Sequence, residues 1–375
     1  MNSKTYLSSF TKTLKTGGLC ILAWTLYAEL PAQADVVIGV AGPMTGTYAQ
    51  FGAQMVRGAQ LAVDNINARG GIAGEILTIE TRDDECDNRK AEIVARDLAD
   101  RNANVVIGHF CSNPALAAAQ IYASAGIPMI ATSASLPALT DAQLWNVVRI
   151  SGRDDAQGEM AALRIAKEFP TGVVAVLTDG TPSSVALANR FRSNLGKAPA
   201  LSLTFKPDAP NFDDLVAQLQ ARKIDVIYFA CNPSDAGRIA SVLTQAASLF
   251  GSDALLDDLY WAASGDAGAA THVTFATDPQ SAAEAKPVLR DLRSAGFDGG
   301  GATIPAYAAV QLFAVAAQRS NAKNGKAIAS YLRSGQAVPT VLGPLSFDAK
   351  GDVRPPRFVW YEWSSGAYHT ETLVN

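Results

Sequence analysis

The chain has 375 residues, with 31 Lys and Arg against 35 Asp and Glu for a formal charge of −4, and 48% of its residues are hydrophobic. A mildly acidic chain with no basic stripe interleaved with aromatics excludes a nucleic-acid binder, and no apolar run reaches the ~20 uninterrupted residues that a membrane-spanning helix needs. The length exceeds what one hydrophobic core usually organises, so two domains are expected.

Residues 1–34 carry the marks of an export signal. Lys4, Lys12 and Lys15 supply a positive start, residues 17–30 an apolar stretch, and Ala32-Gln33-Ala34 a small-residue cleavage site, so the mature chain is expected to begin at Asp35 in the periplasm. Cys20 follows Leu19 inside the apolar stretch rather than a small residue, which argues against lipid attachment.

From residue 36 onward, strand and helix patterns alternate. Residues 36–41 form a β-branched strand followed by a turn-rich 42–46, and 51–68 place Met55, Ala59, Ala62, Val63 and Ile66 at helical spacing before Gly70-Gly71. Strands at 76–81, 105–108 and 128–131 alternate with helices at 88–101 and 114–124, which predicts a mostly parallel sheet covered by helices. After the polar break 151–154 a second series begins, with strands at 173–178, 201–205 and 226–230 and helices at 185–195, 212–221 and 237–249. Two such units in tandem predict two lobes around a cleft, with ligand loops following the strands at 42–46, 83–87, 109–113, 132–135, 179–184 and 231–235. In the tail, 306–319 and 326–333 read as helices, and 344–347 and 357–363 as antiparallel strands around the turn 348–352. Trp360, Tyr361 and Trp363 read as packing residues more readily than as a cleft wall.

The segment 105–114, VVIGHFCSNP, holds the most informative chemistry. Its strand stops at Gly108, Ser112 is a good N-cap, and Pro114 suits the first helical turn, where its missing N–H has no intrahelical partner. Helix starts of this kind attract carboxylates and phosphates. Ser112, Thr132, Ser133 and Ser135 together supply small uncharged donors at strand ends. No dinucleotide fingerprint, phosphate-loop Lys motif or nucleophile-elbow Ser occurs, and His109, His272 and His369 lack metal-ligand spacing. The expectation is therefore a binding protein without enzymatic activity, cofactor or metal, with His109 as a structural hydrogen-bonder. Beyond the signal, Cys86, Cys111 and Cys231 remain. Cys86 and Cys111 each follow an apolar run, so neighbouring strands would bring them together, leaving Cys231 as the odd thiol, either buried in the core or at a cleft edge.

Over nearly its whole mature length the chain resembles the periplasmic leucine/isoleucine/valine-binding proteins of ABC importers, within the type I periplasmic binding proteins. The resemblance is carried by residues 38–46 (IGVAGPMTG), 49–52 (AQFG), 58–71, 83–87 (DDECD), 106–112, 137–140 and 342–351 (LGPLSFDAKG). It implies an α/β fold of two Rossmann-like lobes with parallel sheets joined by three crossovers, a Venus-flytrap. The lobes would be residues 35–151 plus 276–355 and residues 152–275 plus 356–375. It implies a Cys86–Cys111 disulfide, a ligand carboxylate on Ser112, carboxylate and ammonium contacts at Ser133 and Ser135, and side-chain pocket positions at Phe51 and Phe110. In the second lobe the family's tyrosines are replaced by Thr181-Pro182-Ser183-Ser184 and by Asn232. Asp257 and Asp258 are nearest to its ammonium-binding acid, with Asp179 a competitor. This departure favours a more polar ligand or a carboxylate without an amine as readily as a branched-chain amino acid.

Three functions follow from this reading. The first is a monomeric periplasmic solute-binding protein that delivers an amino acid or small carboxylate to an inner-membrane ABC permease. The second is a ligand sensor of the same fold that signals to a receptor. An exported hydrolase ranks last, because no nucleophile is paired with a base.

Overall fold

Short apolar runs separated by polar, Gly- and Pro-rich loops fold as alternating strands and helices in the computed structural model, which describes residues 36–371 apart from 245 and 321–323. The expected export signal, Cys20 included, lies outside the described residues. The first half runs β1 (Val36–Gly42), α1 (Ala49–Asn67), β2 (Leu77–Asp83), α2 (Asn88–Asp100), β3 (Val105–Gly108), α3 (Ser112–Ala125), β4 (Met129–Ala131), α4 (Ala138–Asp141) and β5 (Val147–Arg149). Its strands form one sheet in the order β2-β1-β3-β4-β5, parallel throughout. Every residue of β3 and β4 is buried, because helices cover both faces of the sheet.

The second half runs α5 (Ala156–Glu168), β6 (Val174–Thr178), α6 (Pro182–Asn194), β7 (Leu201–Thr204), α7 (Asp213–Ala221), β8 (Val226–Ala230), α8 (Pro233–Ser241), β9 (Ser248–Gly251), α9 (Asp258–Ser264) and β10 (His272–Ala276). Its parallel order, β7-β6-β8-β9-β10, repeats that of the first half. The chain then returns to cover the first sheet with α10 (Lys286–Ser294), α11 (Thr303–Arg319), α12 (Gly325–Leu332) and the antiparallel strands β11 (Val338–Thr340), β12 (Gly343–Phe347) and β13 (Val353–Arg354). It crosses once more to add β14 (Phe358–Ser364) and β15 (Ala367–Thr370) antiparallel to the edge at β10. The molecule is thus two Rossmann-like lobes joined by three crossovers.

In each sheet the connections reverse direction beside the first strand, between β1 and β3 and between β6 and β8. Ligands of open α/β sheets bind at the carboxyl ends of strands beside such a switch point. That rule selects the loops after β1 and β3 in one lobe and after β6 and β8 in the other.

The closest helix packing sets the first lobe. Gly58 on α1 meets α11 so tightly that a Cβ there would lie 1.9 Å from the Thr303 carbonyl oxygen. Gly58→Ala is expected to destabilise the protein by about 1–3 kcal/mol through overpacking; an unchanged urea midpoint would contradict this contact.

Several sequence expectations need correction. The helix expected over 237–249 ends at Ser241, and β9 begins at Ser248. Leu249 and Phe250 are apolar because they are buried strand residues paired with Ile227 and Tyr228. The segments 344–347 and 357–363 are both strands, but they do not pair with each other. The turn at 348–352 joins β12 to β13, whereas β14 pairs with β10. Alternating patterns identify a strand without identifying its partner. Helix α5 carries no obvious periodicity because its buried face is Ala156, Gln157, Gly158, Ala161, Ala162 and Ile165, small or polar apart from the last. Trp360 and Trp363 are buried in the second lobe's core, where Trp363 Nε1 donates to the Leu255 carbonyl at 2.8 Å.

Candidate functional site

The turn after β3 is built around Gly108, whose φ of +137° suits glycine and whose missing side chain admits the Ala41 carbonyl; a Cβ would lie 2.0 Å from that oxygen. His109 then points into the core. Its Nδ1 lies 2.5 Å from Asp84 Oδ2 and its Nε2 3.1 Å from the Tyr122 hydroxyl, all three side chains being buried. Burial pushes the Tyr122 hydroxyl pKa up, keeping it protonated. Asp84 also accepts the Cys86 N–H through Oδ1 at 2.9 Å, and Cys86 is bonded to Cys111 across a Cα–Cα separation of 5.5 Å. One buried carboxylate therefore anchors both loops that the disulfide joins.

Helix α3 starts one residue earlier than Ser112 as an N-cap would require: the cap is Cys111, with no side-chain hydrogen bond, and Ser112 is the first helical residue. The Ser112 hydroxyl instead accepts the backbone N–H groups of Ser135 at 3.1 Å and Leu136 at 3.3 Å. With its lone pairs engaged there, its own proton remains available to an anion at the helix start. Phe51 and Phe110 stack with ring centroids 4.7 Å apart, and Tyr48, which the sequence reading passed over, lies 6.5 Å from each. These rings stand beyond the carboxyl ends of β1 and β3, but neither they nor Ser112 line the two cavities described below.

The loop after β4, which carries Thr132, Ser133 and Ser135, meets Ser112 through Ser135 and Leu136 and is held from behind by Arg149. This fully buried guanidinium donates to the Leu136 carbonyl at 2.8 Å, the Ala134 carbonyl at 3.3 Å and Thr140, and its Nε reaches Asp352 at 2.7 Å. Arg153 donates to the other Asp352 oxygen at 3.1 Å and pairs with Asp155 and Asp141.

In the second lobe the expected ligand groups turn out to be engaged locally. Asp179 accepts the Thr181 N–H and the Asn232 N–H, each at 3.0 Å, tying together the loops after β6 and β8. Burial alone would raise its pKa, but hydrogen bonds from Ser184, Thr181 and Asn232 outweigh that and hold it low. Asn232 caps α8 by accepting the Asp235 N–H at 2.9 Å, and its Nδ2 donates to the Asp235 carboxylate. Asp257 is exposed and caps α9 through the Leu259 N–H at 2.8 Å. Thr181 and Pro182 likewise cap and begin α6 rather than forming a loop. Cys231 is a free, buried thiol whose pKa burial raises well above its ordinary value, so it is a weak nucleophile.

The acid that does face the cleft is Asp253, two residues beyond β9. Gln157 holds its loop from both sides, donating through Nε2 to Asp253 Oδ1 at 2.9 Å and accepting the Asp253 N–H at 3.0 Å. Two cavities meet at Asp253 and at Asp154 of the first crossover. The larger, about 620 Å³, lies between Leu136 and Pro137 of one lobe and Pro182, Ser183 and Ser252 of the other. The smaller, about 310 Å³, is lined by Thr132, Ser133, Ser135 and Arg357. Both aspartates have solvent-exposed surface, yet desolvation by the surrounding protein raises the pKa of each against hydrogen bonds from Ser135 to Asp154 and from Gln157 to Asp253, and the Asp253 charge adds to the rise at Asp154. Sequence reasoning missed Asp253 because β9 was read as helix; once β9 is a strand, an acid just past its carboxyl end is where a ligand group belongs.

A family model described as periplasmic binding protein matches residues 35–365. A Leu/Ile/Val-binding protein homolog 1 from Brucella suis is 34% identical over 342 residues, covering 90% of this chain and 92% of that protein. Among solved structures, a putative branched-chain amino acid ABC transporter from Rhodospirillum rubrum superposes with a TM-score of 0.73 at 22% identity, over 90% of this chain and all of that one. A solute-binding protein from R. palustris in complex with benzoate gives a TM-score of 0.58 at 21% identity, over 90% of this chain and 95% of that one. The fold, the two switch points that select the cleft loops, and a match running through almost every described residue agree: this chain belongs to the periplasmic binding protein family.

Proposed function

We propose that this chain is a periplasmic solute-binding protein of an ABC importer that closes its two lobes on a small amino acid or a related carboxylate. The lobes are taken as residues 35–151 plus 276–355 and 152–275 plus 356–375. One observation carries the reading: a single cavity is lined by Ser133, by Ser135 with Asp154 lying against it on the first crossover, and by Asp253 of the second lobe. The α3 start and the Ser112 and Ser133 hydroxyls suit a carboxylate, and Asp253 with Asp154, which Ser135 holds by a hydrogen bond, suits an ammonium group. Phe51, Phe110 and Tyr48 offer an apolar wall for a side chain. The names of the Brucella suis relative and the R. palustris structure are consistent with amino acids and simple aromatic acids alike. Asp179, Asn232 and Asp257 act on the ligand only by shaping the loops they cap. Closure would exclude water and strengthen each hydrogen bond, and the closed monomer would then be the form a membrane permease recognises.

Isothermal titration with a panel of amino acids and organic acids tests this reading, and it fails if none binds. Asp253→Asn should weaken amino-acid binding by roughly ten- to a hundredfold, as loss of a charge-assisted contact of ~1.5–3 kcal/mol requires. Simple carboxylates should be affected little or bind better. An equal loss for both ligand classes would count against Asp253 as the ammonium partner.

A further inference from the structure

We propose that the smaller cavity is a subsite for a second acidic group of the ligand, with Arg357 supplying the cation and the Thr132 hydroxyl a supporting donor. The proposal rests on the reading of the cleft as an amino-acid site and narrows the ligand to amino acids with an acidic side chain.

Most other guanidinium groups of the interior have a protein partner, and half-buried Arg57 lies over the Phe297 ring, 3.4 Å from its centroid. Arg149 pairs with Asp352, Arg153 with Asp155 and Asp141, and Arg164 with Glu371 and Glu168. Arg333 lacks a carboxylate but directs its donors to the Leu144 and Ala349 carbonyls. Arg357 differs from all of these. It lines the cavity in a half-buried position, no carboxylate pairs with it among the described residues, and its hydrogen bond is a single long one, 3.2 Å from Nη1 to the Leu342 carbonyl. Most of its N–H groups therefore have no protein acceptor among those residues. Burial disfavours its charged form and lowers its pKa, a cost that an incoming anion would offset.

The second observation is independent of the arginine. Thr132 is only 4% exposed, lines the same cavity, and its hydroxyl has no hydrogen-bond partner among the described residues. A buried hydroxyl is normally satisfied, so this donor awaits an acceptor that the cavity can hold. The space, about 310 Å³, accommodates a short acid side chain next to Ser133 and Ser135. The nearby Asp154 and Asp253 then take the ligand's ammonium, so the site opposes two anionic groups and one cationic group with complementary partners.

The test compares glutamate with its neutral isostere glutamine, with leucine as the control for the underlying reading. The purified chain should bind glutamate at least tenfold more tightly than glutamine. Arg357→Gln should bring that ratio close to one, Arg357→Lys should retain part of it, and Thr132→Val should reduce it severalfold, each variant first shown to melt cooperatively. Leucine binding without a preference for glutamate overturns the proposal alone. So does an Arg357→Gln variant that weakens glutamate and glutamine equally, because Arg357 would then be pairing with Asp154 or Asp253 on closure. Failure of glutamate to bind overturns the proposal, and failure of the whole panel of amino acids and organic acids overturns the reading of the cleft as well.

Discussion

Replacing Asp352 with alanine is expected to cost about 3–5 kcal/mol of folding stability, because it leaves two largely buried guanidinium groups without their shared anion. Asp352 is 3% exposed, and its carboxylate takes hydrogen bonds from Arg149, Arg153 and Thr140 at 2.7–3.1 Å. Asn at this position, similar in shape but uncharged, should lose less. Urea unfolding measures both, and an alanine variant as stable as the parent would remove the network from the account of the fold. The same network fixes the acid limit. Burial alone would raise the Asp352 pKa, but the charge of Arg149 and the hydrogen bonds from Arg153, Thr140 and Arg149 bring it below the ordinary carboxylate range. Asp141, bonded to Arg153 and Lys350, is lowered to about 2 against the same opposing burial. Groups depressed in this way stabilise the fold above the unfolded carboxylate value, roughly pH 4. That contribution is lost as pH falls through the folded values, so the melting temperature should drop between about pH 4 and pH 2. In Asp352→Asn that acid-dependent drop should be smaller.

Ser112→Ala should lower ligand affinity by roughly ten- to a hundredfold, the loss of a charge-assisted donor worth ~1.5–3 kcal/mol. A second effect accompanies it. The hydroxyl accepts the N–H groups of Ser135 and Leu136, so alanine strips both of their acceptor and loosens the loop that carries Ser133 and Ser135. The variant should therefore lose affinity for amino acids and simple carboxylates alike, unlike Asp253→Asn, and should also melt earlier. Cysteine at this position, a weak donor and acceptor of similar shape, should fall in between. Unaltered binding of every carboxylate by Ser112→Ala would remove the α3 start from the site.

Much of the architecture could be read from local pattern because parallel strands covered on both faces are continuous apolar runs. Val105 to Gly108 and Val226 to Ala230 are of this kind, and in both cases the strand bounds agree with the sequence reading. The Cys86–Cys111 bond was also expected, from the resemblance and from both residues following apolar runs, although β2 and β3 are not neighbours but flank β1. Three features escaped for physical reasons. Leu249 and Phe250 are apolar in either a helix or a strand, and the mistaken choice concealed Asp253. Gln157 shows no special pattern in sequence, and its role appears only when Asp253 and Thr274 fold against it. Arg149 and Asp352 are 203 residues apart, a separation across which local periodicity carries no information. Side chains such as Asn232 and Asp179 were legible as polar groups at strand ends, but whether such a group caps a helix or faces a ligand is decided by backbone geometry.

The three crossings also impose an order on folding. All five parallel strands of the second sheet lie within residues 174–276, so that sheet assembles from near neighbours in the chain. The first sheet cannot complete its core in the same way. Helix α1 packs against α11, where Asn65 meets Tyr307, 242 positions further along the chain. Closing so large a loop delays the contacts that reward it. The amino-terminal lobe, although synthesised first, therefore has to wait for the late residues that cover it. The inserted lobe is therefore expected to form early, and the slower step of folding is expected in the part of the molecule that carries the Ser112 loop.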